Sequence, residues 1–376
     1  MSVTVLLGLV HALTDLATIT AMVRGSGLHA PSSGAVVAWF LVYDVLAFGG
    51  QPLVGLVVDR VRPAPVLLAG LATTAGAVAV ATTSGAQTPV VGLAAVLLAA
   101  IGNAITHVGA GAVVLRGDLT RAAPAGLLVG PGALGLGLGL WFGREPALGP
   151  TWWVAVPLAL AAAAVVRLDV SGRLGEDTGG PRGSGERVLP SPTQVAMAGA
   201  IILLLTSVAI RALVGSAAPR GYAAGPWLTV GLPVVAFAGK SLGGFLADRY
   251  GWLRMTVVAL LASVPLLAWR HDHPGVLLLG LLMFQTTMPV TLVAVGRLLP
   301  GRPATAFGLP CAALLVGSVP ASFAWGATVS ARPLVGGWVA VSAVVAWGGL
   351  KGAGLRWRRQ PPESSAPAVQ ASGAAR

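Results

Sequence analysis

The most regular feature of the sequence is a succession of long apolar runs separated by short polar breaks. Each run of about 20 residues is long enough to cross the hydrocarbon core of a bilayer as a helix. Because lipid offers a peptide group no hydrogen-bond partner, such runs must be helical. The pattern predicts an all-α polytopic membrane protein with twelve transmembrane helices, at 3–23, 35–58, 64–83, 88–115, 124–142, 149–167, 194–216, 226–248, 252–270, 274–297, 303–325 and 331–350.

One polar break is longer than the others and divides six spans from six. It reads DVSGRLGEDTGGPRGSGERVLPSPT, and its Gly, Pro and Ser content is typical of a flexible linker. We therefore predict a first six-helix bundle at 1–167, a cytoplasmic linker at 168–193 and a second bundle at 194–350. The remaining segment, 351–376, is predicted to be a disordered basic tail whose arginines contact anionic lipid.

Composition and charge agree with this topology. The chain is 55% hydrophobic and 10% charged, against roughly 25% charged in a soluble domain. If both termini are cytoplasmic, seventeen basic residues face inward and five outward, the bias that sets orientation. We predict a multi-pass protein of the plasma (inner) membrane. Its net charge of +12 then reflects orientation in the bilayer and not nucleic-acid binding.

Two stretches of the chain are copies of one phrase. AFGGQPLVGLVVDR ends the second span, and AFAGKSLGGFLADR ends the eighth. Both keep small residues on one helical face, which allows close helix packing, and both end in an Asp-Arg pair where the helix leaves the bilayer. The chain is therefore an internal duplication of a six-helix unit.

This duplicated unit, with G-x-x-x-D-R after its second helix, resembles the major facilitator superfamily. The resemblance implies two pseudo-symmetric six-helix bundles around a central cavity and transport by alternating access. It also implies a cytoplasmic gate at Asp59, Arg60, Asp248 and Arg249. The alternative is that these pairs only mark the membrane surface.

Three further motifs are similar to the fosmidomycin-resistance branch of that superfamily, drug exporters thought to exchange substrate for protons. They are HALTD in span 1, GNAITH in span 4 and PVTLVAVGRLLPGR at the end of span 10. The chain departs from the branch in two places. Val108-Gly109 stands where the branch has Pro-Glu, and Gly296-Arg297 stands where it has Gln-Glu.

Ionisable groups within apolar spans are costly, so the few present are candidate functional residues. His11 and Asp15 are four residues apart on one helical face. An imidazole beside a carboxylate loads and releases a proton near neutral pH, which predicts a proton-coupling pair. The alternative is a structural hydrogen bond between helices. We place Asp44, Asn103, His107 and Gln285 along the substrate path, with helix bridging as the alternative for each.

Two cations within apolar spans of the second half are also placed along the substrate path. Lys240 lies too deep for its ammonium to reach the cytoplasmic surface easily. Arg211 lies nearer the outer surface, where snorkelling is the alternative. If either faces the cavity, an anionic substrate is favoured.

Several function classes are excluded or set aside. The sequence has no Walker lysine, Cys-x-x-Cys or ordered Ser-His-Asp set, so we predict no enzyme and no cofactor. We also predict no metal site, since His271 and His273 in RHDHPG read as an outer loop. The predicted function is proton-coupled efflux of a small organic molecule by a monomer in the bilayer, with protons and substrate as its partners. The alternatives are an importer of a small, anionic metabolite and a non-transporting sensor on the same fold.

Overall fold

The computed structural model describes residues 2–27, 33–83, 88–145, 151–174, 194–217, 226–268, 273–323 and 332–355. Most of the predicted linker, the outer-loop residue His271 and the predicted tail beyond residue 355 lie outside these ranges.

Within the described residues, the chain forms twelve helical spans and no strand. They are α1 (Val3–Gly25), α2 (33–58), α3 (Pro63–Thr82), α4 (Pro89–Arg116), α5 (Ala123–Arg144), α6 (Ala155–Val170), α7 (Gln194–Ala217), α8 (Pro226–Tyr250), α9 (Trp252–Ala268), α10 (Pro274–Leu298), α11 (Pro303–Ser322) and α12 (Arg332–Gly352).

Three spans depart from simple helices. A π turn at Val45–Gly49 divides α2, and α10 consists of Pro274–Gln285 and Met288–Leu298. A short 3₁₀ turn at Thr151–Val154 precedes α6, which begins later than the predicted span at 149–167. Ten of the described spans are at least 18 residues long and apolar enough to cross a membrane, whereas α6 and α9 are shorter. The predicted twelve-helix architecture is confirmed.

Local sequence explains where several helices begin. Proline occupies the first position of α3, α4, α10 and α11, where its missing N–H is no loss and its fixed φ suits the helix. The side chains of Ser2 and Thr88 accept hydrogen bonds from the N–H groups of Val5 and Val91 and cap α1 and α4.

The helices pack as two related bundles. In the first half, α1 packs against α4 and α5, and α3 packs against α4 and α6. In the second half, α7 packs against α11 and α12, and α9 packs against α10 and α12. The halves meet where α2 packs on α11 and where α5 packs on α8. These two interfaces are equivalent under the duplication, since α2 corresponds to α8 and α5 to α11.

Glycines allow the helices at these interfaces to approach closely. A Cβ at Gly126 would lie 2.6 Å from the carbonyl oxygen of Lys240 on α8, and one at Gly55 would lie 2.7 Å from the Cα of Thr305 on α11. Side chains larger than hydrogen do not fit at such distances. The small-residue faces in the sequence therefore join one half of the molecule to the other.

Candidate functional site

The first candidate site is built on α1. His11 and Asp15 lie one turn apart and are both buried, each 7% exposed. Nε2 of His11 is 3.2 Å from Oδ2 of Asp15. Asp15 is the thirteenth residue of a 23-residue helix, so the pair lies near the middle of the span. The predicted pairing of these two residues is present in the fold.

Two residues of α4 complete the cluster. Nδ2 of Asn103 donates to Oδ1 of Asp15 at 2.8 Å. Nε2 of His107 is 3.2 Å from the same oxygen, within ion-pair distance but without hydrogen-bond geometry. The rings of His11 and His107 meet edge to face with centroids 4.1 Å apart. We call His11, Asp15, Asn103 and His107 the His–Asp cluster.

The partner of His11 on α5 determines where the ring carries its proton. Nδ1 of His11 is 2.9 Å from the carbonyl oxygen of Leu128. A carbonyl oxygen can only accept, so Nδ1 must donate. In a neutral ring Nε2 then has a lone pair, and it faces a carboxylate oxygen that also only accepts. The contact between Nε2 and Asp15 therefore becomes favourable when one further proton is held on the imidazole or on the carboxyl group.

Residues that the sequence did not single out surround the cluster. Thr18 accepts a hydrogen bond from Asn103 at 3.3 Å, and its hydroxyl is 3.0 Å from the hydroxyl of Tyr43. Nε2 of Gln51 donates to the carbonyl of Ala47 at 2.7 Å and lies 3.5 Å from Nδ1 of His107. The sequence signal for Gln51 is its place within the repeated phrase, opposite Lys240 of the second copy.

Three polar atoms at the cluster have no hydrogen-bond partner among the described residues. They are Nε2 of His107, Oδ1 of Asn103 and Oε1 of Gln51, and all are buried. Buried polar atoms are usually satisfied, so a concentration of unsatisfied ones marks a place where a proton, water or ion is handled.

Other predicted path residues lie apart from this hydrogen-bonded network. Asp44 on α2 and Gln285 on α10 are half-buried and form no hydrogen bond or ion pair within the described ranges. Lys240 on α8 is also half-buried, forms no ion pair with described residues, and is close enough to Asp15 and Cys311 to interact electrostatically with both. Lys240 thus lies within electrostatic range of the His–Asp cluster, on the other half of the molecule.

Arg211 occupies the interior of the second bundle and does not snorkel. It is 6% exposed. Its guanidinium donates to the carbonyl of Ser207 at 3.3 Å, to the hydroxyl of Thr291 at 2.9 Å and to the hydroxyl of Thr287. In the part of the chain that the structure describes, no carboxylate pairs with it.

The second candidate site joins the two halves at one face of the membrane domain. Asp59, which follows α2, accepts hydrogen bonds from the N–H groups of Ala304 and Thr305 at 2.7 and 3.1 Å. It also accepts from the hydroxyl of Thr305 at 2.6 Å. These donors begin α11, so a carboxylate of the first half caps a helix of the second.

The duplicated residue makes the equivalent contact in the opposite direction. Asp248 in α8 accepts from the N–H groups of Ala122 and Ala123 at the start of α5, at 2.7 and 3.0 Å. Trp252 also donates to it at 3.0 Å. We call Asp59, Asp248 and the two helix ends they cap the latch.

The arginines of the two Asp-Arg pairs take no part in these crossing contacts. Arg60 donates to the carbonyl of Leu56, and Arg249 lies over the ring of Tyr250. Arg297, which stands where the resembled branch has Glu, does cross between the halves. It donates to the carbonyl of Leu119 at 2.7 Å.

Fold and sites together define the class: a polytopic helical membrane protein of two duplicated bundles, latched to each other at one face, with buried ionisable groups at mid-span. This is the major facilitator fold.

Solved structures show the same fold. The E. coli fucose:proton symporter FucP matches with a TM-score of 0.63 at 14% identity, over 93% of this chain and 97% of that one. The human organic anion transporter MFSD10 (TETRAN) matches with a TM-score of 0.62 at 20% identity, over 92% of this chain and 98% of that one. A second structure of FucP, in the outward conformation, matches with a TM-score of 0.61 at 15% identity, over 92% of this chain and 97% of that one.

No protein-family model and no curated protein matches the sequence. The resemblance to the fosmidomycin-resistance branch therefore stays a prediction.

Proposed function

We propose that the chain is a secondary transporter that exports a small organic molecule by alternating access and exchanges it for protons at the His–Asp cluster. The observation that carries the proposal is the contact between Nε2 of His11 and Asp15. With Nδ1 of His11 donating to the carbonyl of Leu128, an added proton on either group would make their 3.2 Å contact attractive, and its loss would make the contact repulsive.

Because the cluster is buried, the presence or absence of that proton has a large effect on the free energy of the site. An ionisable group inside the membrane domain costs about 2.5–3.5 kcal/mol on insertion scales, so its charge state is strongly linked to its surroundings. Gain or loss of the proton changes the net charge of a site buried between α1, α4 and α5. A site of this kind favours different bundle arrangements in its two charge states, which is what coupling requires.

The latch supports alternating access. Two carboxylates hold the starts of α11 and α5, and in both cases the bond crosses from one half to the other. The bundles cannot separate at this face without losing both sets of hydrogen bonds. We infer that the latch is the gate that Asp59 and Asp248 were predicted to form, closed in this arrangement, and that it lies on the cytoplasmic side.

One observation favours an anionic substrate, imported or exported, as the second candidate. Lys240 is within electrostatic range of Asp15 but forms no ion pair with any described residue. A partly desolvated cation gains from a counter-ion in contact with it, and a substrate carboxylate or phosphate would supply one. The fold is shared with an organic anion transporter.

Growth inhibition in an efflux-deficient bacterium tests the proposal. The wild type is expressed beside Asp15→Asn and Asp59→Asn against a broad compound panel. Asp169→Asn is the matched control, because Asp169 belongs to neither site and its carboxylate pairs with Arg62 at the surface. We expect resistance from the wild type and Asp169→Asn but not from the other two.

Uptake of labelled metabolites by the same cells tests the alternative that the protein is an importer. Gradient-driven transport that survives Asp15→Asn would refute the proton assignment. If the protein is verified in the membrane but confers neither resistance nor uptake, the result would favour a sensor.

A further inference from the structure

We propose that His11, Asp15 and His107 form a binding site for a divalent transition-metal ion, with zinc the preferred probe. One ligand atom from each, the Nε2 atoms of the histidines and a carboxylate oxygen of Asp15, can be chosen so that all three lie within 4.8 Å of one another. The claim goes beyond the proposed transport function and does not depend on it.

The distances suit a metal after a small contraction. Both imidazole nitrogens are 3.2 Å from an oxygen of Asp15. Zinc binds imidazole nitrogen at about 2.0–2.1 Å and carboxylate oxygen at about 2.0–2.2 Å, so ligand atoms of one tetrahedral site lie roughly 3.3 Å apart. Nε2 of His11 lies at this separation from Oδ2 of Asp15, and Nε2 of His107 lies at it from Oδ1. An ion bound there would have to draw the remaining ligand atoms, now within 4.8 Å of one another, closer together.

The surroundings of His11 are those of a metal-ligating histidine. Its Nδ1 donates to the carbonyl of Leu128 at 2.9 Å, which leaves a lone pair on Nε2, 3.2 Å from Oδ2 of Asp15. Metal-bound histidines almost always donate their second ring nitrogen to a carbonyl or carboxylate in this way, which fixes tautomer and ring orientation. Nε2 of His11 and Oδ2 of Asp15 are both acceptors, so their contact is stabilised by a cation bound to both. A metal ion can fill that role as a proton can.

The unsatisfied atoms of the cluster support the same conclusion. Nε2 of His107 is buried, 3.2 Å from Oδ1 of Asp15 and without a hydrogen-bond partner. Nδ2 of Asn103 donates to the same carboxylate oxygen and holds the carboxylate in place. His107 would bind a metal through Nε2 with Nδ1 protonated. Oε1 of Gln51 has no partner here and could accept a hydrogen bond from this Nδ1–H if the side-chain amide rotated. That rotation would break the hydrogen bond from Nε2 of Gln51 to the carbonyl of Ala47.

The donor set indicates which metals bind. Two imidazoles and a carboxylate suit Zn²⁺, Co²⁺ and Ni²⁺, whereas Mg²⁺ and Ca²⁺ prefer sites made of oxygens alone. The sequence predicted no metal site, because His107 is far from His11 along the chain and only the fold brings their rings into contact.

The test uses full-length protein in detergent, purified through a tag without histidine. Zinc binding is measured by competition with a chromogenic chelator, and cobalt is added separately for its visible d–d absorption. We expect one zinc ion per chain and a cobalt spectrum of low coordination number. Neither should be changed by excess magnesium. Folded wild-type protein that binds no zinc would overturn the proposal without any variant.

Variants locate the site. Loss of a ligand should weaken binding at least as much as loss of a second-shell partner, about 10–100-fold. We therefore expect that loss in His107→Gln and Asp15→Asn. His273→Gln is the matched control, because His273 is an exposed histidine before α10, and it should bind as the wild type does. Undiminished binding by a folded His107→Gln protein would overturn the assignment. Zinc binding without any transport would refute only the proposed function, and transport without zinc binding only the metal site.

Discussion

Neutralisation of Asp59 is the perturbation whose effect follows most directly from the structure. The carboxylate accepts two N–H groups and one hydroxyl from the start of α11. In Asp59→Asn one oxygen remains to accept, and the negative charge at the helix N-terminus is lost. We expect the two bundles to separate more often at this face.

The magnitude follows from the bonds concerned. A hydrogen bond to a charged group contributes about 1.5–3 kcal/mol net, whereas one between neutral groups contributes about 0.5–1.5 kcal/mol. The negative charge of Asp59 therefore adds about 1 kcal/mol to the hydrogen bonding at the cap. The interaction of a carboxylate with a helix N-terminus adds about 0.3–1 kcal/mol, and more when partly buried. Together these give about 2 kcal/mol, which is about 30-fold in the equilibrium between joined and separated bundles.

Cysteine labelling measures that equilibrium. Ala304 is fully buried in a cluster with Val58, Val108 and other residues of the first half, so a cysteine there reacts only when the halves part. The native thiol, Cys311, is first replaced by alanine. In this background we expect maleimide to label Ala304→Cys about 30-fold faster when Asp59→Asn is added.

The control removes the same charge from the same face. Asp118 is exposed, and among the described residues its carboxylate accepts hydrogen bonds from Thr120 alone, so Asp118→Asn should raise the labelling rate far less than Asp59→Asn does. Equal rates with and without Asp59→Asn would refute the reasoning. So would an equal rise from Asp118→Asn, which would make the effect one of surface charge.

Four further outcomes are expected. Asp248→Asn should raise the same labelling rate, because it weakens the equivalent cap on α5. Asp15→Asn should abolish gradient-driven transport in membrane vesicles at unchanged expression, since the buried cluster loses its carboxylate. Gly132→Ala should lower the melting temperature in detergent, because the added Cβ would lie 2.6 Å from Oδ2 of Asp15, whereas Gly76→Ala, with nothing within 4 Å, should not. Lys240→Met should remove transport of anionic compounds and spare neutral ones, as measured across the compound panel.

The sequence predicted the architecture well because its determinants are local. Span length and hydrophobicity follow from the bilayer, and the duplicated phrase marks equivalent places in the two halves. The pairing of His11 with Asp15 was predictable for the same reason, since residues four apart share a helical face. The contacts of Asp15 with α4 depend instead on how helices rotate against each other, which hydropathy does not encode.

Backbone groups explain most of what sequence reasoning missed. Leu128 contributes a carbonyl oxygen, and Ala304 and Ala122 contribute N–H groups. Side-chain identity gives no signal for such roles. Arg211 is a different case. Its position near the end of α7 suggested snorkelling, but the fold directs it inward to two hydroxyls of α10.

The duplication has been kept at the latch and lost at the centre, and the two facts have one physical explanation. A latch in which each half caps a helix of the other needs the same carboxylate at both equivalent places, Asp59 and Asp248. A site that binds a proton or an ion needs its ligands converged in one place, and α1 and α4 of the first half supply all of them. Lys240 of the second copy, a cation, stands where the first copy has Gln51 and lies within electrostatic range of Asp15. In the proposed alternating access, motion of one bundle against the other would change the separation of Lys240 and Asp15. Charge at the centre and closure at the latch would then be linked through the same rigid-body movement.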